Sequence, residues 1–313
     1  MKLHSLSRAD LASRLEKGLI LASGPFTFSI RGRYPMLHDA LYLLYSDHPV
    51  LPDDSFVDFP VALTPPNPLR RFFRPQVQFH FDQDRPFYPL PANQVFASFE
   101  WGLNWVISNH AHQFIMLHAA VVEKNGRALV LPGEPGAGKS TLCAALMLEG
   151  WRLLSDEITL IRPGTREAWP LCRPASLKNA SIELIRARYP EAVLGPVVDA
   201  TSKGRVTHLK PAPDSIERME VPAPITWFVF PRYDSASETN LIPRSRADSF
   251  LDVARNAFNY SHHGERGFST VQQILSHAAC YSLHYSDLDE ALSVLDSLPP
   301  PEPLEPECLN CPP

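Results

Sequence analysis

The sequence lacks an apolar stretch long enough to cross a lipid bilayer, and its first residues lack the apolar core of a secretory signal. It also has no excess of positive charge, because 29 Lys and Arg stand against 34 Asp and Glu and the net charge is −5. A basic footprint for nucleic acid or for an acidic membrane surface is therefore not expected. These absences predict a cytoplasmic protein that binds neither nucleic acid nor membranes.

Cysteine is scarce, with five residues in 313, which is an odd number. Cys143, Cys172 and Cys280 lie far apart in the sequence and do not form the pattern of a secreted disulfide framework. Reduced thiols are expected. Cys308 and Cys311 have no second Cys or His pair near them at ligand spacing, which argues against a zinc or redox site.

Proline is abundant, with 32 residues, and many of them lie in the first third of the chain and at its end. Short β-like runs at residues 26–30 and 77–81 alternate with Pro-rich turns, and apolar residues recur at helical spacing from 92 to 113. This pattern predicts a β-rich N-terminal domain with a connecting helix over residues 1–113. Residues 299–313 are predicted to be a Pro-rich disordered tail.

Residues 115–122 predict one strand, which the turn at residues 124–126 can join in a hairpin to the apolar run at 127–131. The most informative motif follows that run and precedes a helical pattern at 141–149. It fits G-x-x-x-x-G-K-[ST] with Gly133, Glu134, Pro135, Gly136, Ala137, Gly138, Lys139, Ser140 and Thr141.

Glycines at these positions let backbone N–H groups turn toward the phosphates of a nucleotide. Lys139 can reach the β- and γ-phosphate oxygens, and the Ser140 hydroxyl is placed to bind Mg²⁺. A strand, a loop and a helix in this order predict an α/β domain over residues 114–298 that binds a nucleoside triphosphate. The motif does not distinguish ATP from GTP.

A second apolar run, at residues 151–155, ends in Asp156 and Glu157. A carboxylate at the end of a strand beside a phosphate loop can hold Mg²⁺, orient a water molecule, or accept the proton of an attacking hydroxyl. The spacing alone leaves these three roles open. We take Glu157, with Ser140, as a candidate metal ligand.

Basic residues follow in two polar segments. Arg173 and Lys178 lie in a Pro-containing stretch, where a guanidinium can stabilise the charge on a transferring phosphoryl group or can simply be solvated. The Gly-containing turn at residues 201–208 can order over a substrate or can be an ordinary hairpin turn. We take Arg173 as a candidate catalytic residue.

The segment from His118 through the glycine-rich loop to Asp156 and Glu157 resembles the catalytic domain of HPr kinase/phosphorylase. That family has a His-Ala strand before its phosphate loop and an Asp-Asp pair after the loop helix. The resemblance implies that Asp156 is the catalytic base and that His118 lies beside it and tunes its proton affinity. Without the resemblance, His118 in an apolar strand is more often a core histidine.

The sequence also departs from that family, because the second acid is Glu157 and the glycine-rich signature that follows in the family is absent. Phosphorylase activity and HPr as the substrate are therefore not predicted. The chain looks more like the divergent HPr-kinase-related kinases, some of which act on a serine of a ribosomally made peptide.

We therefore expect an α/β fold with a P-loop, HPr-kinase-like catalytic domain and a smaller β-rich N-terminal domain. The expected activity is ATP- and Mg²⁺-dependent transfer of the γ-phosphoryl group to a hydroxyl, with Lys139 among the catalytic residues and a serine of a peptide or protein as the acceptor. Two alternatives stay open, a kinase for a small hydroxyl metabolite and a nucleotide-gated binding or assembly ATPase. Self-association into a homo-oligomer is compatible with the sequence.

Overall fold

The computed structural model describes residues 1–299, which form a mixed α/β structure with three sheets. The helices in this part of the chain are α1 (Arg8–Lys17), α2 (Pro35–Leu44), α3 (Val95–His110), α4 (Lys139–Leu148), α5 (Ala180–Arg188), α6 (Pro213–Glu217), α7 (Arg246–Arg255), α8 (Gly264–His277) and α9 (Leu288–Asp296). The strands are β1 (Leu19–Ser23), β2 (Phe26–Gly32), β3 (Phe59–Thr64), β4 (Gln76–Phe81), β5 (Leu90–Pro91), β6 (Ile115–Leu117), β7 (Ala119–Lys124), β8 (Arg127–Pro132), β9 (Arg152–Ser155), β10 (Thr159–Ile161), β11 (Glu167–Trp169), β12 (Ala175–Lys178), β13 (Val198–Thr201), β14 (Gly204–Leu209), β15 (Ala223–Tyr233), β16 (Asn240–Pro243) and β17 (Ala279–Tyr285).

The N-terminal part of the chain forms a five-stranded sheet in the order β1-β2-β3-β4-β5. Only the β2–β3 pair is parallel, and the other neighbours are antiparallel. Alternate residues of β2 and β3 are buried, which is the pattern of strands with one face on a core. This core includes Phe99 and Leu103 of α3, and it continues beyond residue 113 to Met116 and Leu160.

The second sheet has nine strands and carries the glycine-rich loop. Its main path runs β6-β10-β11-β15-β8-β7-β9, and β17 and β16 continue beside β15. The central strand β15 is parallel to β8 and to β17. Strands β8 and β15 are almost continuously buried, as expected for parallel strands that are covered on both faces.

A third sheet, in the order β12-β14-β13, lies close to the end of β9. Its strands are antiparallel. The first residues of β12 pack in the same apolar core as α4 and β8, so the third sheet is held against the helix that follows the loop.

The helix and the hairpin predicted from the sequence are confirmed. The helix expected over residues 92–113 is α3 with a short 3₁₀ turn before it. Strands β7 and β8 form an antiparallel hairpin whose turn has Asn125 at φ 53° and Gly126 at φ 76°, the conformation that two-residue hairpin loops favour.

The strand expected to run continuously from Ile115 to Val122 is instead interrupted at His118. Strand β6 pairs with β10, whereas β7 pairs with β8 and β9. The backbone N–H of His118 donates to the Asn256 carbonyl, 2.7 Å away, and so takes no part in the hydrogen bonds between strands. The prediction of one strand was wrong because the two halves have different partners in space.

Within residues 1–299, no helix is long and apolar enough to cross a membrane. The predicted division of the chain near residue 113 stays a prediction. The predicted tail, with Cys308 and Cys311, lies outside the described residues apart from Pro299.

Candidate active site

The glycine-rich loop joins β8 to α4, and its backbone turns through three glycines with positive φ. These are Gly133 at 153°, Gly136 at 89° and Gly138 at 93°. The first N–H groups of α4, on Lys139, Ser140 and Thr141, have no hydrogen-bond acceptor within residues 1–299. Free N–H groups at the positive end of a helix dipole are suited to hold an anion such as phosphate. The remaining loop residues fit this arrangement, because Glu134 and Pro135 are exposed and Ala137 is half-buried.

Replacing Gly138 with alanine is expected to destabilise the protein more than the same change at Gly136. A side chain at a positive φ costs about 1–2 kcal/mol at either position. A Cβ atom at Gly138 would also lie 2.0 Å from Tyr285 Oη, whereas a Cβ atom at Gly136 meets nothing within 4 Å. Urea unfolding of the two variants measures the difference. Equal losses for both, or no partial rescue of Gly138→Ala by Tyr285→Phe, would contradict the close contact.

Lys139 begins α4 and folds back along the loop. Its ammonium donates to the Gly133 carbonyl and to the Glu134 carbonyl, the latter at 3.0 Å, and only 8% of the residue is exposed. Burial lowers the pKa of Lys139, although the negative charges of Glu157 and Asp156 oppose the change. Lys139 therefore lies inside the loop with two carboxylates close by.

Asp156 follows β9 and is buried, with 6% of its surface exposed. Its Oδ2 accepts a 2.9 Å hydrogen bond from the backbone N–H of Ser176, and its Oδ1 has no hydrogen-bond partner. Burial raises the pKa of Asp156 to about 6, and Glu157 adds to the rise, whereas the Ser176 N–H, Lys178 and the Ser140 hydroxyl oppose it. A buried carboxylate with a raised pKa and a free oxygen beside Ser140 has the properties of a general base.

Glu157 lies next to Asp156 in the chain but has different neighbours. Its Oε1 is 3.3 Å from Lys178 Nζ. Burial alone would raise the pKa of Glu157, but Lys178, Lys203 and His118 together hold it below its ordinary value. The pKa of Asp156 therefore lies above its ordinary value, whereas the pKa of the adjacent Glu157 lies below its own ordinary value. Two such carboxylates can take different roles in one site.

His118 lies at the break between β6 and β7, half-buried, with its ring 5.8 Å from that of Phe258. Burial lowers the pKa of His118, and Lys139, Lys178 and Lys203 lower it further, whereas Glu157 opposes them. The structure gives no hydrogen bond between His118 and Asp156, both of which lie in the described part of the chain. The role of His118 in tuning Asp156 stays a prediction.

The structure places Arg173 in a buried network rather than at the loop. Its guanidinium is 3.1 Å from Glu100 Oε2 and donates to Asn104 Oδ1, both on α3. Glu100 also accepts a 2.6 Å hydrogen bond from the Tyr45 hydroxyl. Only the Nε of Arg173 has no partner. In this arrangement Arg173 joins α3 to the segment before β12, so the alternative of a solvated guanidinium is wrong, whereas its role on the phosphoryl group stays a prediction.

Asp156 and Arg173 both line one small cavity. About 20 Å³ of it is available to the centre of a water molecule, which is room for about one water. Three buried atoms without a partner, Asp156 Oδ1, Arg173 Nε and Ser176 Oγ, belong to residues that line it. Unsatisfied polar atoms are rare in protein interiors, so three of them around one cavity indicate a place for a polar group.

Several residues of this site were missed in the sequence. Glu100, Trp101 and Asn104 of α3 and His208 of β14 line the cavity, and Lys203 Nζ lies 5.3 Å from the centre of the Trp101 ring. The sequence did contain one indication of a buried acid, because Glu100 lies four residues after Phe96 and therefore on the apolar face of α3. An acid on such a face predicts a buried partner. The helical spacing of apolar residues in α3 predicts Trp101 to be a core residue, but it lines the cavity.

The oxygen atoms near the glycine-rich loop can be compared with the ligands that Mg²⁺ needs. Within residues 1–299, no group of three or more His, Cys, Asp and Glu side chains is arranged to hold a metal ion. Ser140 interacts with Asp156, whereas Glu157 pairs with Lys178. Mg²⁺ commonly takes one or two protein ligands and completes its shell with water and phosphate oxygens, so the Ser140 hydroxyl fits such a site, and Glu157 as a second metal ligand stays a prediction.

Comparison with known proteins gives partial similarity. A family model described as SynChlorMet cassette protein ScmC matches residues 94–173, a range that contains α3, the glycine-rich loop, Asp156 and Arg173. The structure of the Hpr(Ser) kinase/phosphatase from Coxiella burnetii is similar to 58% of this chain and to 95% of its own, with 12% identity and a TM-score of 0.26. The chain is thus weakly similar in structure to a kinase/phosphatase. No curated protein matches the chain.

Proposed function

We propose that this protein is an ATP- and Mg²⁺-dependent kinase that transfers the γ-phosphoryl group to a hydroxyl, with a serine of a peptide or protein as the acceptor. The observation that carries the proposal is the free Oδ1 of buried Asp156, close to the Ser140 hydroxyl and to Lys139. A carboxylate in this position supports proton abstraction from an alcohol beside a phosphate-binding loop.

Each residue has a defined task in the proposed reaction. The N–H groups at the start of α4 and the Lys139 ammonium bind and orient the phosphates, the Ser140 hydroxyl supplies a protein oxygen for the metal, and Glu157 completes the metal shell through a water molecule. ATP with Mg²⁺ supplies the phosphoryl group and neutralises the charge that develops on it. Asp156 accepts the hydroxyl proton at Oδ1, and its pKa of about 6 leaves it ionised at neutral pH. Positioning and charge neutralisation supply most of the rate in such reactions, so few residues are needed.

The test is label transfer from γ-labelled ATP, in the presence of Mg²⁺, to a panel of serine-containing peptides and small hydroxyl metabolites. Replacing Lys139 with alanine is expected to reduce transfer by roughly 10²–10³-fold, because a preorganised cation on the transferring group is removed. Lys17, an exposed lysine at the end of α1, provides the matched control as Lys17→Ala.

A fully active Lys139→Ala variant would contradict the proposal. ATP hydrolysis without any labelled acceptor would instead favour the nucleotide-gated ATPase. Labelling confined to small metabolites would retain the kinase and replace the proposed acceptor class.

A further inference from the structure

An open groove of about 660 Å³ crosses the five-stranded sheet and carries none of the residues assigned to the proposed reaction. Part of its surface is apolar, formed by Tyr34, Ala62, Leu63 and Pro65. Its rim is predominantly basic, with Arg31, Arg33 and Arg71 against two acids, Glu16 and Asp82. Of these, Arg33 and Glu16 form a 3.5 Å ion pair with each other.

The loop at residues 67–75 borders this groove through Arg71 and Pro75. It holds three arginines and no acid, in a chain whose net charge is −5. Its apolar side chains face solvent, because Leu69 is 67% exposed, Phe72 79% and Phe73 59%. Two large aromatic rings exposed side by side are the kind of surface that marks an interaction site.

Apart from Arg33, the arginines around the groove lack carboxylate partners among the residues that the structure describes. Arg31, Arg70, Arg71 and Arg74 form no ion pair with any residue in the part of the chain that the structure describes. Arg71 and Arg74 contact only aromatic rings, at 5.4 Å from the centre of Phe72 and 5.7 Å from that of Phe73. Unpaired guanidinium groups around an apolar surface are complementary to carboxylates carried on an apolar ligand.

We propose that this groove binds an extended segment of the peptide substrate in which acidic and apolar side chains alternate. In an extended chain, successive side chains point to opposite sides, so apolar groups can face the half-buried Tyr34 and Ala62 while carboxylates reach Arg31 and Arg71. A concave groove does not match the flat surface of a membrane. The negative net charge of the chain does not favour nucleic acid.

Helix α3 connects the groove to the proposed active site, and the inference rests on the proposed function in this respect. Ala92, just before α3, lines the groove, and Trp101 of α3 lines the cavity beside Asp156. Nine residues at 1.5 Å each separate these positions by about 14 Å along the helix. An extended peptide covers that distance in about four residues, so the acceptor hydroxyl is expected at least about four residues from the docked segment.

The experiment measures fluorescence anisotropy of labelled octapeptides on the full-length protein without nucleotide. One peptide alternates Glu and Leu, and its matched control alternates Lys and Leu. We expect the acidic peptide alone to bind, and the double variant Arg31→Glu with Arg71→Glu to weaken its binding by at least about tenfold. The control variant Arg127→Glu reverses an exposed, unpaired arginine of the β7–β8 turn and should bind like the wild type.

Four results would overturn the proposal. These are absence of binding by the acidic peptide, preference for the Lys-Leu peptide, equal affinity of the double variant, and an effect of the double variant only on phosphatidylserine vesicles or single-stranded RNA. Circular dichroism melting of the double variant shows whether a loss of binding comes from unfolding. In the wild-type protein, peptide binding without any phosphoryl transfer would contradict the kinase proposal alone, and transfer without groove binding would contradict this inference alone.

Discussion

Replacing Asp156 with asparagine is expected to lower the rate of phosphoryl transfer by roughly 10²–10⁴-fold, the range that a general base contributes. Asparagine keeps the size of the side chain and can still accept the Ser176 N–H bond, but it cannot take a proton from the acceptor hydroxyl. Nucleotide affinity should change little. Asp39→Asn, on an exposed face of α2, is the matched control.

The pH dependence gives a second readout of the same substitution. The wild-type rate should rise with pH through about 6, because Asp156 must be ionised to act as a base. The rate of the Asp156→Asn variant should not rise with pH in this range. Loss of nucleotide binding in parallel with transfer would instead assign Asp156 to the metal, and an unchanged rate would exclude it as the base.

The raised pKa also predicts the sign of a stability change. Because the folded-state pKa of Asp156 lies above its ordinary value of 3.8, its ionisation destabilises the native state as pH rises from about 4 to about 6. The asparagine variant has no such penalty. The free energy of unfolding in urea of the variant, minus that of the wild type, should therefore be larger at pH 8 than at pH 5, and the reverse order would contradict the burial of an ionised Asp156.

Removing one partner of the Glu100–Arg173 pair is expected to lower the free energy of unfolding by about 3–5 kcal/mol. Both residues are buried, at 4% and 6% exposure, so either single alanine variant leaves an uncompensated charge in the interior. The double change Glu100→Leu with Arg173→Met removes both charges and should recover most of that stability. The exposed Arg8–Asp39 pair is the matched control, for which a loss of about 1 kcal/mol or less is expected.

Urea unfolding of the four variants, followed by circular dichroism, measures these differences. Equal small losses at both pairs would contradict the buried ion pair. The same variants also test the catalytic role first expected of Arg173. If Arg173→Ala reduces phosphoryl transfer far more than Glu100→Ala at similar stability, the guanidinium acts on the phosphoryl group in spite of its bonds to α3.

Local patterns predicted much of the fold around the loop. The β7–β8 hairpin, the strand that enters the loop and the helix that leaves it all follow from residues close together in the chain. The position of Asp156 at the end of β9 also follows from a short apolar run. These features depend on backbone propensities and on glycine conformations, which a few neighbouring residues set.

The break at His118 shows where local reasoning fails. Residues 115–122 are uniformly apolar around the histidine, which reads as one strand. Strand β6 pairs with β10, and β7 pairs with β9 as well as with the adjacent β8, so the break depends on strands that lie far along the chain. A short apolar run specifies that a strand forms, but not which partners it finds.

A glycine-rich loop followed by a carboxylate could be predicted from the amino-acid sequence, because the φ values at Gly133, Gly136 and Gly138 and the end of β9 are local properties. The surroundings of that loop follow from the three-dimensional fold alone. Arg173 pairs with Glu100, which is 73 residues away in sequence, and Lys203 approaches Glu157 and Trp101 from a separate sheet. The energies of these contacts depend on burial and on charges brought together across the chain, and no short segment encodes either of them.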